Sequence, residues 1–124
     1  MINFDQAQLF KLKPIGTDEV FEPIATFLIE NEEVFAAFKT VRDQLVFTNK
    51  RIISANKQGL TGKKVDYTSI PYSKITTFSV QTAGLLDLDC EIEIHITAVG
   101  KVKFDIKGNF DIVSFNKMIS QYVL

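Results

Sequence analysis

A strict alternation of apolar and polar residues runs through the segment EIEIHITAVGKVKFDIKG, residues 91–108. The apolar positions are Ile92, Ile94, Ile96 and Ala98 before a turn at Val99-Gly100, and Val102, Phe104 and Ile106 after it. A period of two is typical of strands that bury one face. The segment therefore predicts an antiparallel hairpin with one face in the core and the other in water.

The period changes to three and four in the last segment, GNFDIVSFNKMISQYVL, residues 108–124. Its apolar positions Ile112, Phe115, Ile119 and Tyr122 would lie on one side of a helix. Asn109 or Asp111 is placed to cap the first turn, because a short polar side chain there accepts a backbone hydrogen bond. The chain is expected to end in an amphipathic helix.

Five shorter runs of β-branched and aromatic residues precede the hairpin, separated by turn residues. They are EVFAAFK, QLVFTN, RIISANK, KKVDYTSI and KITTFSVQ. Together with the hairpin they predict seven antiparallel strands, a mainly β fold in which the sheet bends into a barrel-like sandwich and the C-terminal helix closes one opening. The periodicity predicts the elements but does not choose their topology.

The first 32 residues have a different pattern. In DEVFEPIATFLIEN, Val20, Ile24, Phe27 and Leu28 share one helical face, and Pro23 is expected to start or kink that helix because it lacks a backbone N–H. We therefore expect a short helical extension over residues 1–32 and the β domain over residues 33–124, which together form a single domain.

Composition narrows the class of protein. The 124 residues are 46% apolar, enough for a folded core of one domain. Fourteen Lys and Arg against fifteen Asp and Glu give a net charge of −1, so the chain as a whole has no basic footprint for nucleic acid, and none is expected as a partner. The single cysteine and an N-terminus without signal-peptide features favour the cytoplasm.

The loop KQGLTGKK, residues 57–64, raises the question of phosphate binding. A Walker-type loop needs four residues between its glycines and a Ser or Thr after the lysine, whereas Gly59 and Gly62 are separated by two residues and Lys64 follows Lys63. The pattern favours a glycine-tolerant hairpin turn flanked by solvated lysines. Contact with a partner's acidic surface or with an anionic group remains an alternative.

Other candidate chemistry is weak. The acidic run DLDCE, residues 87–91, has Ile92 where a calcium loop requires Gly and Ala98 where it requires Glu, so an acidic start to a strand is favoured. His95 has no second imidazole and is expected on the surface, while Cys90 is expected to be a small half-buried thiol. We therefore expect no enzymatic activity, cofactor or metal.

Two turns are more specific. Arg42 and Asp43 fall at a tight reversal that either a charge-assisted pair or an Asp side chain bonded to its own backbone would fix. Thr48, Asn49 and Lys50 are expected to do the same between the next two strands. Both sets of residues have an alternative interpretation as an exposed functional surface.

The stretch from Arg42 to Ile96 resembles the bacterial pleckstrin-homology domain family. The resemblance rests on an Arg-Asp turn, the segment Phe-Thr-Asn-Lys-Arg, the loop Gln-Gly-Leu-Thr-Gly-Lys-Lys and the segment Ile-Pro-Tyr-Ser-Lys-Ile. It implies a bent seven-stranded antiparallel barrel capped by a C-terminal helix, which agrees with the elements predicted above. It also implies cyclic homo-oligomeric rings, often of five subunits, with no enzymatic activity.

In the family, a polar surface where strands of adjacent subunits meet is thought to bind other proteins. The resemblance therefore implies a non-catalytic scaffold with an unidentified protein partner. Candidates for its surface are Arg42, Asp43, Lys50, Arg51, Gln58, Thr61, Lys63, Lys64, Tyr67 and Tyr72. Tyr72 has a packing alternative, because Ile70, Pro71 and Ile75 surround it.

Binding of phosphoinositide or another anionic lipid is the alternative function. It is disfavoured, because such binding usually needs several Lys and Arg in the connection between the first two strands of the domain. Here that connection is only Thr-Val-Arg-Asp, in which the charge of Asp43 opposes that of Arg42. Lys57, Lys63 and Lys64 could form a smaller basic cluster.

Overall fold

The computed structural model describes residues 8–82, 89–108 and 110–124. The strands are β1 (Gln8–Ile15), β2 (Val34–Lys39), β3 (Gln44–Thr48), β4 (Arg51–Gln58), β5 (Lys64–Pro71), β6 (Ile75–Thr82), β7 (Cys90–Ile96) and β8 (Gly100–Ile106). The helices are α1 (Glu22–Phe27) and α2 (Ile112–Val123), and short 3-10 helices lie at Thr17–Glu19 and Tyr72–Lys74.

All eight strands belong to one sheet, in the order β5-β4-β3-β2-β1-β8-β7-β6. Neighbours are antiparallel except for β1 and β8, which are parallel. β1 joins the two halves of the sheet: Leu12 pairs with Ile106 of β8, and from Lys13 onward the strand pairs with β2. A register shift precedes Leu12, and Lys11 has a left-handed backbone with φ +57°. The strand therefore bends where it changes partners.

The sheet and α2 enclose the main core. Phe38 and Phe47 from one half of the sheet and Phe104 from the other are fully buried, and α2 contributes Phe115 and Ile119. The Phe115 ring lies 4.9 Å from that of Phe47 in an edge-to-face arrangement, which aromatic pairs favour. The amphipathic face expected from the spacing of α2 therefore packs against the inner face of the sheet.

A second, smaller core lies on the outer face of β2, β3 and β4. Ile24 of α1 packs there with Ala37, Val46, Ile53 and Ala55, and the segment from Ile15 to Leu28 covers them. Both faces of β3 are consequently covered, and all five of its residues are buried. The N-terminal segment thus supplies the cover for the outer face.

The mainly β class and the closing C-terminal helix are confirmed, as is the β7–β8 hairpin. Asp111 caps α2 by accepting a hydrogen bond from the Ser114 N–H, while the alternative cap Asn109 lies outside the described residues. Ala98 does not share the buried face of β7, because it occupies the turn with φ +65° and is exposed.

The N-terminal segment differs from the prediction. From Gln8 onward, where the structure describes it, its helical part is limited to α1 and the 3-10 helix Thr17–Glu19. Pro23 lies in the first turn of α1 as expected, and Gln8–Ile15 forms an eighth strand. This segment forms a strand because β2 and β8 both supply hydrogen-bonding partners to its backbone. The division of the chain at residue 33 stays a prediction.

The predicted closure into a barrel is wrong for the described residues. β5 and β6 stand at opposite ends of the strand order and do not pair with each other. Pro71 ends β5 without an N–H to donate, and the 3-10 helix Tyr72–Lys74 follows it. Tyr72 stacks on Tyr122 of α2, with the ring centroids 5.7 Å apart. Side-chain packing thus takes the place of pairing between β5 and β6.

Candidate interaction surface

The loop between β4 and β5 is a hairpin turn built on two glycines. Gly59 and Gly62 have φ of +69° and +66°, values that L side chains rarely adopt, so the predicted glycine-tolerant turn is confirmed. The Arg42 guanidinium donates a hydrogen bond to the Gly59 carbonyl. A Cβ at Gly62 would lie in ordinary van der Waals contact with that guanidinium, at 3.5 Å, and with the Lys57 side chain, at 3.6 Å. The β2–β3 turn and the β4–β5 loop are therefore in contact.

Asp43 fastens the β2–β3 turn to β4. Its carboxylate accepts hydrogen bonds from the Lys57 N–H at 2.9 Å and from the Asn56 side-chain amide at 3.4 Å. Its own N–H donates to the Thr40 hydroxyl at 3.0 Å. The Asp43 carboxylate thus forms its hydrogen bonds with β4. The prediction had it pair with Arg42 or with the backbone of its own turn.

The two linked loops bring five of the predicted residues to one end of the sheet. We call this set the loop surface: Arg42, Gln58, Thr61, Lys63 and Lys64, all of which are exposed. Val41 and Leu60 are fully exposed at the tips of the same two loops. The loop surface is therefore basic and polar around two isolated apolar side chains.

Arg51 and Tyr67 lie elsewhere, beside α1. The Arg51 guanidinium pairs with both carboxylate oxygens of Glu32, at 2.9 and 3.0 Å, and also donates to the Phe27 carbonyl at 2.9 Å and to the Ser69 hydroxyl at 3.0 Å. Tyr67 packs edge-to-face on the Phe27 ring with centroids 4.8 Å apart. Arg51 is therefore engaged in structural contacts rather than presented to a partner.

Glu32, which was not predicted from the sequence, accepts several of the hydrogen bonds around Arg51. Besides Arg51, its carboxylate accepts from the Thr48 hydroxyl at 2.7 Å and from the Ile29 N–H at 3.0 Å. Burial acts to raise the pKa of Glu32, but the hydrogen bonds from Arg51, Ile29 and Thr48 outweigh it and hold the pKa below the usual value. The group is thus a buried, fully satisfied carboxylate.

The β3–β4 turn is fixed by the Thr48 side chain, as predicted. Its hydroxyl oxygen accepts from the N–H groups of Lys50 and Arg51, each at 3.0 Å. Asn49 ties the same turn to the segment before β2, because its amide donates to the Asn31 carbonyl at 2.9 Å. Lys50 itself is exposed there, away from the residues of the loop surface.

Tyr72 must be removed from the surface candidates. It is 3% exposed, and its hydroxyl donates to the Thr48 carbonyl at 2.6 Å. Burial raises the pKa of the phenol well above its usual value. The packing alternative therefore describes this residue.

The remaining candidate groups are engaged in the fold or lie on its surface. Cys90 is buried, and burial and the neighbouring Asp89 raise the pKa of its thiol. The acidic start of β7 pairs with lysines, Asp89 with Lys107 at 3.3 Å and Glu91 with Lys103 at 3.8 Å, while Asp87 lies outside the described residues. His95 is exposed, as expected.

The described residues contain neither a candidate metal site nor a candidate membrane-spanning helix. No three His, Cys, Asp or Glu side chains in residues 8–82, 89–108 and 110–124 are grouped so that they could hold a metal ion. In the same part of the chain, no helix has the length and apolar character needed to cross a membrane.

The open eight-stranded sheet with its closing helix is similar to solved structures. A DUF1696 family protein with a pleckstrin-homology domain from Shewanella loihica PV-4 is 37% identical, with a TM-score of 0.78 over 93% of this chain and 99% of that chain. A pleckstrin-homology domain from Shewanella amazonensis SB2B is 44% identical, with a TM-score of 0.61 over 82% of this chain and 83% of that one. The fold is that of a pleckstrin-homology-like domain.

The family follows from the sequence comparison. The model of the bacterial PH domain family matches residues 3–123, and the chain belongs to that family. Among its relatives in Bacillus subtilis (strain 168), YjqA is 49% identical over 96 residues, which are 77% of each chain. YozO is 38% identical over 66 residues, 53% of this chain and 57% of YozO. Both relatives are described only as uncharacterised proteins, so they support the family without adding an activity.

Proposed function

We propose that this chain is a non-catalytic scaffold that assembles in the cytoplasm as a ring of identical subunits, expected to number five, and presents a repeated polar surface to a protein partner. One observation carries the assembly: the sheet ends in two edges, β5 and β6, that find no further strand among the described residues. An unpaired edge is a template for pairing with another chain.

The composition of β6 supports its use as a contact. Natural edge strands are commonly protected by lysine, proline or an inward-pointing charge. The strand Ile75–Thr82 contains none of these and is rich in β-branched residues. The other edge, β5, differs from it in carrying Lys64, Asp66 and Pro71. Two unlike edges favour a head-to-tail contact, which closes into a ring if the rotation between subunits allows it.

The loop surface is our candidate for the partner-binding region. Arg42, Lys63 and Lys64 are exposed there, so a partner with an acidic surface would be complementary. A ring repeats this surface once in every subunit, and several weak contacts then act together as avidity. The non-catalytic role is supported by the burial of Tyr72 and Cys90 and by the pairing of Arg51 with Glu32.

Light scattering coupled to size-exclusion chromatography tests the assembly. We expect a mass equal to five copies of the 14.0 kDa chain at micromolar concentration. A monomer under these conditions would remove the ring and the avidity argument with it.

Affinity capture from the native cytoplasm tests the partner surface. The wild-type chain is expected to retain a protein that Lys63→Glu/Lys64→Glu does not, while a Lys117→Glu variant on α2 retains it as well as the wild type. Equal capture by all three would exclude the loop surface as the contact.

Binding to anionic lipid is a second proposal, favoured by one observation. Val41 and Leu60 are isolated apolar side chains at the tips of two linked loops, with Arg42, Lys63 and Lys64 around them. Apolar tips within a basic collar fit an interface that inserts shallowly between anionic head groups. We expect sedimentation with phosphatidylglycerol vesicles that falls with added salt and with Leu60→Glu. Sedimentation that is negligible in the wild type would reject this proposal.

A further inference from the structure

A pocket of about 340 Å³ opens on the outer face of the sheet, beside the end of α1. We call it the aromatic pocket. It is lined by Phe27 of α1, Arg51 and Ile53 of β4, and Tyr67 and Ser69 of β5. None of these residues belongs to the loop surface, and the volume is in the range of small-molecule sites.

The strand register explains why the pocket forms at this point. In the antiparallel pair of β4 and β5, Tyr67 is opposite Ala55 and Ser69 is opposite Ile53. Directly opposed residues share one face of a sheet, so a large ring and a small side chain stand next to each other there. α1, which packs on the neighbouring part of this face, ends at Phe27. The small Ser69 side chain therefore leaves open space beside the Tyr67 ring.

Two aromatic rings and one aliphatic side chain form the apolar part of the pocket. The Phe27 and Tyr67 rings meet edge-to-face with their centroids 4.8 Å apart, and Ile53 belongs to the smaller core. Phe27 is nevertheless 46% exposed. A flat aromatic ligand in the pocket would remove part of this ring surface from water and add favourable ring contacts.

The polar residues of the pocket have hydrogen-bond donors to spare. An arginine side chain carries five N–H groups. Those of Arg51 form four hydrogen bonds, to Glu32, to the Phe27 carbonyl and to Ser69, and no further acceptor is found among the described residues. The Ser69 hydroxyl accepts from Arg51, while its own proton and the Tyr67 hydroxyl have no partner in that part of the chain. Arg51 can therefore take a ligand with its fifth N–H and keep its structural contacts.

The charge at the pocket is positive, because only the cationic partner of the Glu32–Arg51 ion pair lines it. The Glu32 side chain is fully buried, whereas 22% of the Arg51 side chain is exposed. No carboxylate is present among the described lining residues. One guanidinium N–H and two hydroxyl groups suit a single carboxylate group, which accepts charge-assisted hydrogen bonds.

We propose that the aromatic pocket binds a small aromatic carboxylate. The ring of the ligand packs against Phe27 and Tyr67, and its carboxylate accepts hydrogen bonds from Arg51 and from the two hydroxyl groups. All lining residues belong to one subunit, and their side chains lie on the face of the sheet rather than along the hydrogen-bonding edge of β5. The proposal therefore stands or falls independently of the ring and of the loop surface.

Ligand-detected NMR titration of the full chain with sodium phenylacetate tests the site. A ligand of this size is expected to bind with a dissociation constant of about 1 mM. Two matched probes divide the ligand: 2-phenylethanol keeps the ring and replaces the carboxylate with a hydroxyl, and acetate keeps the carboxylate without the ring. Each should bind at least about tenfold more weakly, because each loses one of the two kinds of contact. No saturable binding of phenylacetate, or equal binding of 2-phenylethanol, would overturn the proposal.

Variants locate the binding in the pocket. Ser69→Leu fills the space beside the Tyr67 ring and is expected to abolish phenylacetate binding, while Tyr67→Phe removes one hydroxyl and should weaken it about threefold. The control Ser79→Leu makes the same change at an exposed position on the outer face of β6, since its neighbours Phe78 and Val80 pack on the main core. It should bind like the wild type, with the folded state of each variant checked by circular dichroism. Binding that survives in folded Ser69→Leu, or that both leucine variants lose equally, would contradict the site.

Discussion

Glu32 shows how strongly a single polar residue can be committed to the fold. Its side chain is buried, yet every contact it makes is a donor: the Arg51 guanidinium, the Thr48 hydroxyl and the Ile29 N–H. A buried carboxylate is tolerated when its charge and lone pairs are satisfied in this way. The segment before β2 is thereby tied to the β3–β4 turn.

Replacing Glu32 with Gln is expected to lower the free energy of unfolding by about 3 kcal/mol at pH 7, because Arg51 would lose its charged partner. The folded pKa of Glu32 lies below the ordinary value of 4.5. Its stabilisation is therefore present above pH 4.5 and is lost as pH falls through the folded pKa.

Urea unfolding at a series of pH values from 7 to 3 checks this prediction. The variant should lose less stability on acidification than the wild type. Glu33→Gln, at an exposed neighbouring acid, is the control and should follow the wild type. If acid weakened Glu32→Gln and the wild type equally, Glu32 would not be the titrating group.

At the scale of single residues, the contacts that could not be predicted join residues far apart along the chain. Arg51 was a surface candidate because its partner Glu32 is 19 residues away and no local pattern connects them. For Tyr72 the neighbouring apolar residues indicated packing, but its hydrogen bond to Thr48 spans 24 residues. The β2–β3 turn and the β4–β5 loop, which carry Arg42, Lys63 and Lys64, are in contact, while the role of these residues as a partner surface stays a prediction.

Elements with a regular period or a run of β-branched and aromatic residues were predictable, and β1 was not. β7, β8 and α2 each repeat one period for several residues, so their patterns identified them. β1 pairs with β8 over its first part and with β2 over its last, and the bend at Lys11 interrupts the alternation. The alternation Lys11-Leu12-Lys13 was the part of the sequence that could have indicated a strand. A strand that changes partners leaves too short a pattern to be distinguished from a loop.

β1 is expected to contribute strongly to stability even though its pattern is weak. Leu12 is 1% exposed in the main core, so Leu12→Ala should cost about 3 kcal/mol through lost burial and an unfilled cavity. Ile29→Ala removes a comparable side chain that is 60% exposed and should cost less than about 1 kcal/mol. Chemical denaturation of the two variants checks the contrast. Similar losses in both would mean that β1 is not integral to the core.

At the scale of the whole molecule, β5 and β6 do not pair with each other, and side-chain packing takes the place of backbone hydrogen bonds between them. Tyr72 and Tyr122 occupy the region where β5 ends, and the edges of β5 and β6 remain without a strand partner among the described residues. The extension that was expected to be helical supplies β1 and the cover of β3, so the free edges lie at the far ends of the sheet.

A single inward-facing charge on β6 should therefore separate assembly from folding. Val80 pairs with Ile92 and packs, partly buried, on the main core at the edge of the sheet. Val80→Lys places an ammonium group where natural edge strands use lysine against pairing, and its partial exposure lets the charge reach water. We expect a folded monomer by light scattering, with a loss of about 1–2 kcal/mol in stability.

The same substitution at an exposed position of α2 provides the control for this experiment. Val113 is 63% exposed, so Val113→Lys should retain both the fold and the mass of the wild-type assembly. Circular dichroism verifies that each variant is folded before its mass is interpreted. A folded Val80→Lys protein that kept the full mass would show that the ring, if formed, does not use the edge of β6.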